Sequence, residues 1–160
     1  MLILGIDPGL KGALAVLDTA NNKIELHDAP VVNIKNSRYE YDILKIVRIL
    51  ESTHVDICIL EQSFAMPGQG GVSMFSIGKG FGMYQGILMA LHIPFEIVHP
   101  KKWQKICGVM GGKISGKNKH AFIVASRLFQ SAELITQRGR IIDGRVDALL
   151  LVEYGRRSHN

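Results

Sequence analysis

The sequence predicts an α/β fold: a mixed five-stranded sheet flanked by helices, built as one domain over residues 1–160. Three observations carry this expectation. The chain opens with short apolar runs separated by turn residues, as in an antiparallel meander. A stretch of helical apolar spacing follows. Further short apolar runs then alternate with helical stretches, which adds parallel strands to the meander. An apolar content of 47% and a mean hydropathy of +0.15 suit a packed domain rather than a disordered chain.

The elements follow in order. Leu2 to Ile6 is almost continuously apolar, as a buried strand is, and Asp7-Pro8-Gly9 punctuates it as a turn. Ala13 to Leu17 and Lys23 to His27 read as two more strands, joined by a hairpin turn at Asn21-Asn22. From Tyr41 to Leu50 apolar residues recur at helical spacing. Val55 to Leu60 is another buried strand, with Glu61 at its end, and residues 62–72 read as a loop. A helix from Ser73 to Leu91 carries Gly78, Gly82 and Gly86 at intervals of four. Glycine costs about 1 kcal/mol in a helix interior relative to alanine, so this face predicts close backbone packing against the sheet, another helix or a second subunit. Phe95 to Val98 is the last strand, and helices at Lys117–Phe129 and Gly144–Arg156 close the chain.

Charge divides the chain. Residues 1–98 hold seven Lys or Arg against ten Asp or Glu, whereas residues 99–160 hold twelve against four. No acid occurs between Ile97 and Ala132, but Lys101, Lys102, Lys105, Lys113, Lys117, Lys119 and Arg127 do. Clustered bases suit a polyanion, because neutralising phosphates releases counterions; a solvated basic face is the plainer alternative. No apolar run is long enough for a membrane helix. Met1 to Ile6 runs straight into a strand without a secretory leader. Cys58 lies in an apolar run as a small core residue, and Cys107 has no zinc-like spacing, so a reduced, cytoplasmic protein is expected.

Four acids stand out. Asp7 and Glu61 each end a buried strand, and Asp143 and Asp147 lie four apart at the start of the last helix, on one face. If the strands are neighbours and the helix crosses them, these carboxylates converge, and oxygen donors gathered in this way suit Mg²⁺ or Mn²⁺. Each also has a plainer use: Asp7 in an Asx turn, Glu61 as a strand-end charge, Asp143 as a helix cap. Asp147, set among Val146, Ala148, Leu149 and Leu150, is the hardest to read that way.

Leu4-Gly5-Ile6-Asp7-Pro8-Gly9 resembles the opening strand and turn of RuvC-type Holliday junction resolvases of the ribonuclease H-like superfamily. Leu60-Glu61-Gln62-Ser63-Phe64 resembles their second acidic motif, and Asp143-Gly144-Arg145-Val146-Asp147-Ala148-Leu149 their terminal acidic helix. The latter stretch, with Glu153-Tyr154-Gly155, is closer to the phage and organellar branch than to the bacterial one. The spacing of four between the last two acids departs from the bacterial spacing of three, and the departure falls on Asp143. The resemblance implies a ribonuclease H-like sheet and a homodimer that nicks opposing strands of a four-way DNA junction. It further implies Asp7, Glu61, Asp143 and Asp147 as ligands of two cations about 4 Å apart, one generating hydroxide and the other stabilising the leaving oxygen. Lys117 and Lys119 fall where the family places a lysine near the scissile phosphate. Lys105 falls near a second such lysine, with a one-residue ambiguity against Gln104, and Phe64 sits where an aromatic wedges into the junction centre, a loop aromatic folded back onto the core being the alternative. Lys101, Lys102 and Lys113 are further DNA-binding candidates, with a solvated basic loop as the alternative, whereas Trp103 reads as a packing anchor.

Gly111 to Lys117 matches a phosphate-loop pattern until Asn118 replaces the expected Ser or Thr, so no nucleotide cofactor is expected. His99 and His120 receive no role. An actin-like phosphotransferase would need a second domain. A junction-binding protein without cleavage, or a related nuclease acting on RNA or other DNA, remains an alternative, because substrate choice in this superfamily resides in loops.

Overall fold

The computed structural model describes residues 1–36, 38–64, 68–110 and 117–159. Strands β1 (Leu2–Asp7), β2 (Ala13–Asp18) and β3 (Lys23–Asp28) form the expected antiparallel meander. Strands β6 (Ile57–Glu61) and β7 (Phe95–Val98) add in parallel on the other side of β1, giving the order β3-β2-β1-β6-β7. The mixed five-stranded sheet is therefore as the sequence predicts.

Alternation along the strands sends side chains to two apolar layers. Leu4, Ile6, Leu14, Cys58 and Leu60 face the side covered by α1 (Ile43–Ser52) and α2 (Gly71–Ala90), where Ile46, Leu50, Tyr84 and Leu88 are buried. Ile3, Ala13, Ala15 and Ile59 face the side covered by α3 (Pro100–Ile106), α4 (Lys117–Leu128) and α5 (Asp143–His159). The small residues of α5 let it press onto the sheet. A Cβ on Gly155 would meet Ile3 Cγ2 at 2.8 Å, and one on Gly5 of β1 would collide with the Ala148 carbonyl. Glu153 is fully buried and holds the helix end through Arg156 and Arg157, at 2.7 and 2.6 Å.

Two readings are corrected and a third is narrowed. Tyr41 does not begin a helix: strands β4 (Val31–Lys35) and β5 (Arg38–Tyr41) pair as a separate two-stranded ribbon, and α1 starts after Asp42, whose side chain accepts from the Lys45 N–H at 3.0 Å. Residues 100–106 are helical rather than a basic loop, with Pro100 in the first turn and the His99 imidazole accepting from the Lys101 N–H. Nothing lies within 4 Å of a Cβ built on Gly78, Gly82 or Gly86. Within the chain the closely packed glycine of α2 is Gly80, pressed against the Tyr41 ring. No described helix is long and apolar enough to cross a membrane.

Candidate active site

Strand register brings the first two acids together. Ile6 of β1 is level with Leu60 of parallel β6, so Asp7 and Glu61 stand side by side at the two strand ends. Adjacent strands lie about 4.8 Å apart. Since Ile6 and Leu60 point to the α1/α2 side, the next residues point to the α5 side. Asp7 and Glu61 line one cleft of about 790 Å³ with Pro8, Tyr41, Phe64 and Ser73.

The turn after β1 is tightly built. The Gly9 N–H donates to Asp7 Oδ1 at 3.3 Å, so Asp7 makes the Asx turn that its sequence context allows. The Gly12 N–H closes onto the Gly9 carbonyl at 2.9 Å, and the Tyr41 hydroxyl ties the Pro8 carbonyl at 2.9 Å. Burial and the nearby Asp7 charge push the Tyr41 hydroxyl up to about 12.

Asp143 opens α5 and is exposed, and Asp147, one turn on, is half-buried. Gly144 between them lets the helix start touch the Asp7 turn: a Cβ there would stand 2.7 Å from Gly12 Cα. Burial pushes the Asp7 carboxyl above its ordinary range; the Gly9 N–H opposes this, and the Asp143 charge adds to it. A carboxylate disfavoured both by desolvation and by a like charge is the electrostatic setting that a bound cation relieves. The donors are all oxygens, which fits Mg²⁺ or Mn²⁺ by chemical type. Among the described residues, however, no three Asp, Glu, His or Cys side chains are grouped closely enough to hold an ion as they stand. Asp7 is brought beside Glu61 and near Asp143, but the four carboxylates are not assembled into a finished coordination shell.

Trp103 carries a role that its sequence context did not disclose. It is buried, as a packing anchor should be, and its indole N–H also donates to Glu61 Oε1 at 2.9 Å. His99 is a second missed residue: besides capping α3 it supports the Phe64 ring, with centroids 4.9 Å apart. Phe64 is thereby held, 41% exposed, at the cleft wall.

The basic candidates divide. Lys101 and Lys105 are exposed on α3, whereas Gln104 between them is buried. Lys102 is engaged by Glu96 at 2.8 Å and lies 5.4 Å from the Tyr154 ring centroid. Lys119 is exposed in the first turn of α4, which Lys117 opens. Lys113, and the phosphate-loop-like stretch over residues 111–116, lie outside the described residues.

The fold has solved counterparts. A structure of T. thermophilus RuvC in complex with Holliday junction substrate matches at a TM-score of 0.64 and 14% identity, covering 99% of this chain and 97% of that one. A second Thermus thermophilus RuvC structure matches at 0.59 and 16% identity, covering 98% and 96%. The chain has the RuvC fold. At this level of identity the RuvC likeness is one of backbone architecture, and the sequence matches no family model and no curated protein.

Proposed function

We propose that this chain is a structure-selective endonuclease that resolves four-way DNA junctions with two divalent cations. The observation that carries the reading is the pairing of Asp7 and Glu61 on adjacent parallel strand ends, with Asp143 near Asp7, in a RuvC fold. Asp7, Glu61, Asp143 and Asp147 would hold the cations. Mg²⁺ or Mn²⁺, when bound, supplies water activation and charge neutralisation at the phosphate.

The chain's own residues do the rest. The Trp103 N–H fixes one oxygen of Glu61, and the Gly9 N–H fixes one oxygen of Asp7, so both carboxylates are oriented before substrate arrives. Lys117 and Lys119, in the first turn of α4, would supply positive charge for the scissile phosphate, and exposed Lys101 and Lys105 for the flanking backbone. Phe64, braced by His99, supplies an apolar wedge for an unstacked junction centre.

Paired nicks in opposing strands need two active sites, hence two copies of the chain. The exposed face of α2 suits a second copy. Phe75, Gly78, Gly82, Gly86 and Met89 form one stripe, with Phe75 at 73% and Met89 at 66% exposure and open space above all three glycines. A soluble protein rarely leaves such a continuous apolar face uncovered. A dividing cell's cytoplasm or a phage-infected host, where branched DNA arises, is the setting this reading fits.

The test is a side-by-side cleavage assay on a four-way junction, a flap, a linear duplex and an RNA–DNA hybrid, with Mg²⁺ or Mn²⁺. Preferential, symmetrical nicking of the junction is expected, and Asp7→Asn should bind it without cutting. Preference for the hybrid would overturn the resolvase reading while keeping the nuclease one.

A further inference from the structure

The connection between α4 and α5 contains a braced turn that carries two arginines. Ile135 and Ile141 form an antiparallel bridge, and the Ile142 N–H donates to the Leu134 carbonyl at 2.9 Å. At the tip the Thr136 N–H donates to the Arg140 carbonyl and the Gly139 N–H to the Thr136 carbonyl, both at 2.8 Å. The Arg140 N–H also reaches the Thr136 hydroxyl at 3.1 Å. Gly139 sits at φ +74°, a backbone conformation that strains any side chain. The base of the turn is tied down as well: Arg145 donates to the Glu133 carbonyl at 2.9 Å while its fork holds Asp28 at 2.6 and 2.9 Å. A connection of this length needs none of that order merely to join two helices.

Arg138 and Arg140 project from this turn and are exposed. Among the described residues neither has a carboxylate partner, although the next three arginines, Arg145, Arg156 and Arg157, each do. Together with Thr136 and Gln137 they line a depression of about 400 Å³. The turn leads directly into the site. Two residues separate Arg140 from Asp143, so their Cα atoms lie within about 11 Å even if the chain were fully extended. Two uncompensated guanidinium groups on a rigid support beside an acidic cleft have a chemical complement in phosphate, which their planar donor forks match.

We propose that Arg138 and Arg140 form a separate phosphate-binding site that grips the backbone of the DNA strand entering the Asp7–Glu61 cleft. It lies outside the lysine-rich segment on α3 and α4, and it rests on the endonuclease reading. The arginines act as positioning residues: they fix the strand's register and do not touch the reacting bond.

The experiment measures binding of the full chain to a labelled four-way junction without metal, by fluorescence anisotropy across a KCl series. Each phosphate contact contributes about 0.9 to the slope of log Kd against log salt concentration. The Arg138→Gln/Arg140→Gln double variant should lose roughly 1.8 from that slope, with a circular dichroism melt like that of wild type. Arg138→Lys/Arg140→Lys should keep most of it. Lys23→Gln, at the end of β3 remote from Asp7, should leave it unchanged. If the wild-type chain binds and cuts the junction while the double glutamine variant keeps the wild-type slope, the arginine site is refuted and the nuclease reading stands. If the wild-type chain binds no branched DNA, that reading fails and the arginine site fails with it.

Discussion

Gly144→Ala tests the contact that aligns Asp143 with Asp7. The added methyl would stand 2.7 Å from both Gly12 Cα and its carbonyl carbon, and would also strike the Lys11 carbonyl oxygen. Ordinary contact begins near 3.4 Å and the Lys11 carbonyl oxygen would stand at 2.3 Å, so the helix start or the turn must yield by roughly 1 Å. Both sides are main chain, the Gly12 side being held by its bond to Gly9, so no flexible side chain can absorb the shift. Overpacking of this kind costs about 1–3 kcal/mol, and the helix preference of alanine over glycine offsets at most about 1 kcal/mol. Because every contact is with main chain, the cost lies in the upper part of that range and the net is about 1–2 kcal/mol; at about 2–4 °C per kcal/mol for a chain of this size, Tm should fall by roughly 2–8 °C. Activity should fall further than stability accounts for, because a misplacement approaching 1 Å costs on the order of 10-fold to 100-fold in a positioned reaction. The assay is junction cleavage well below the variant's Tm, beside a thermal melt. A variant with wild-type Tm and cleavage within twofold of wild type would refute the reasoning.

Trp103→Phe keeps most of the buried ring but removes the N–H held by Glu61. It should raise the Mn²⁺ concentration needed for half-maximal cleavage about 10-fold to 100-fold, read from activity against metal concentration, with a smaller effect at saturating metal. Gly82→Ala fills open space on a helix surface. It should stabilise the monomer by up to about 1 kcal/mol and weaken self-association, the first read by melts at low concentration and the second by sedimentation. Arg145 holds the Asp28 carboxyl below its ordinary value of 3.8, chiefly through their hydrogen bond. A carboxylate depressed in the folded state contributes stability above its unfolded pKa, and that contribution is lost as pH falls through the folded value. Wild type should therefore lose stability below about pH 4 more steeply than Arg145→Gln, as measured by denaturant midpoints across pH.

The sheet was legible because its strands are short apolar runs with turn residues at their ends, and burial on both faces leaves no other use for Leu4 to Ile6 or Ile57 to Leu60. The ribbon at Val31–Tyr41 was hidden because it is not part of the core: Val32, Ile34 and Tyr39 are exposed, so no burial pattern marks them. The helix at Pro100–Ile106 was masked by its three lysines, which read as a loop, although His99-Pro100 is an ordinary helix start. For the site, strand-end acids followed by turn glycines pointed to Asp7 and Glu61, and the spacing of four pointed to Asp143 and Asp147. The Trp103–Glu61 bond spans forty-two positions and has no local signature. Nor does the choice of Gly80 over Gly78, Gly82 and Gly86 as the close-packed glycine, which depends on where Tyr41 lands.

The most direct test of the shared carboxylate site is anomalous diffraction from crystals of the wild-type chain and of Asp7→Asn, both soaked in Mn²⁺. The account predicts manganese density between the Asp7 and Glu61 side chains in the wild type, and its loss in the variant. Density elsewhere, with none between these two side chains, would contradict it.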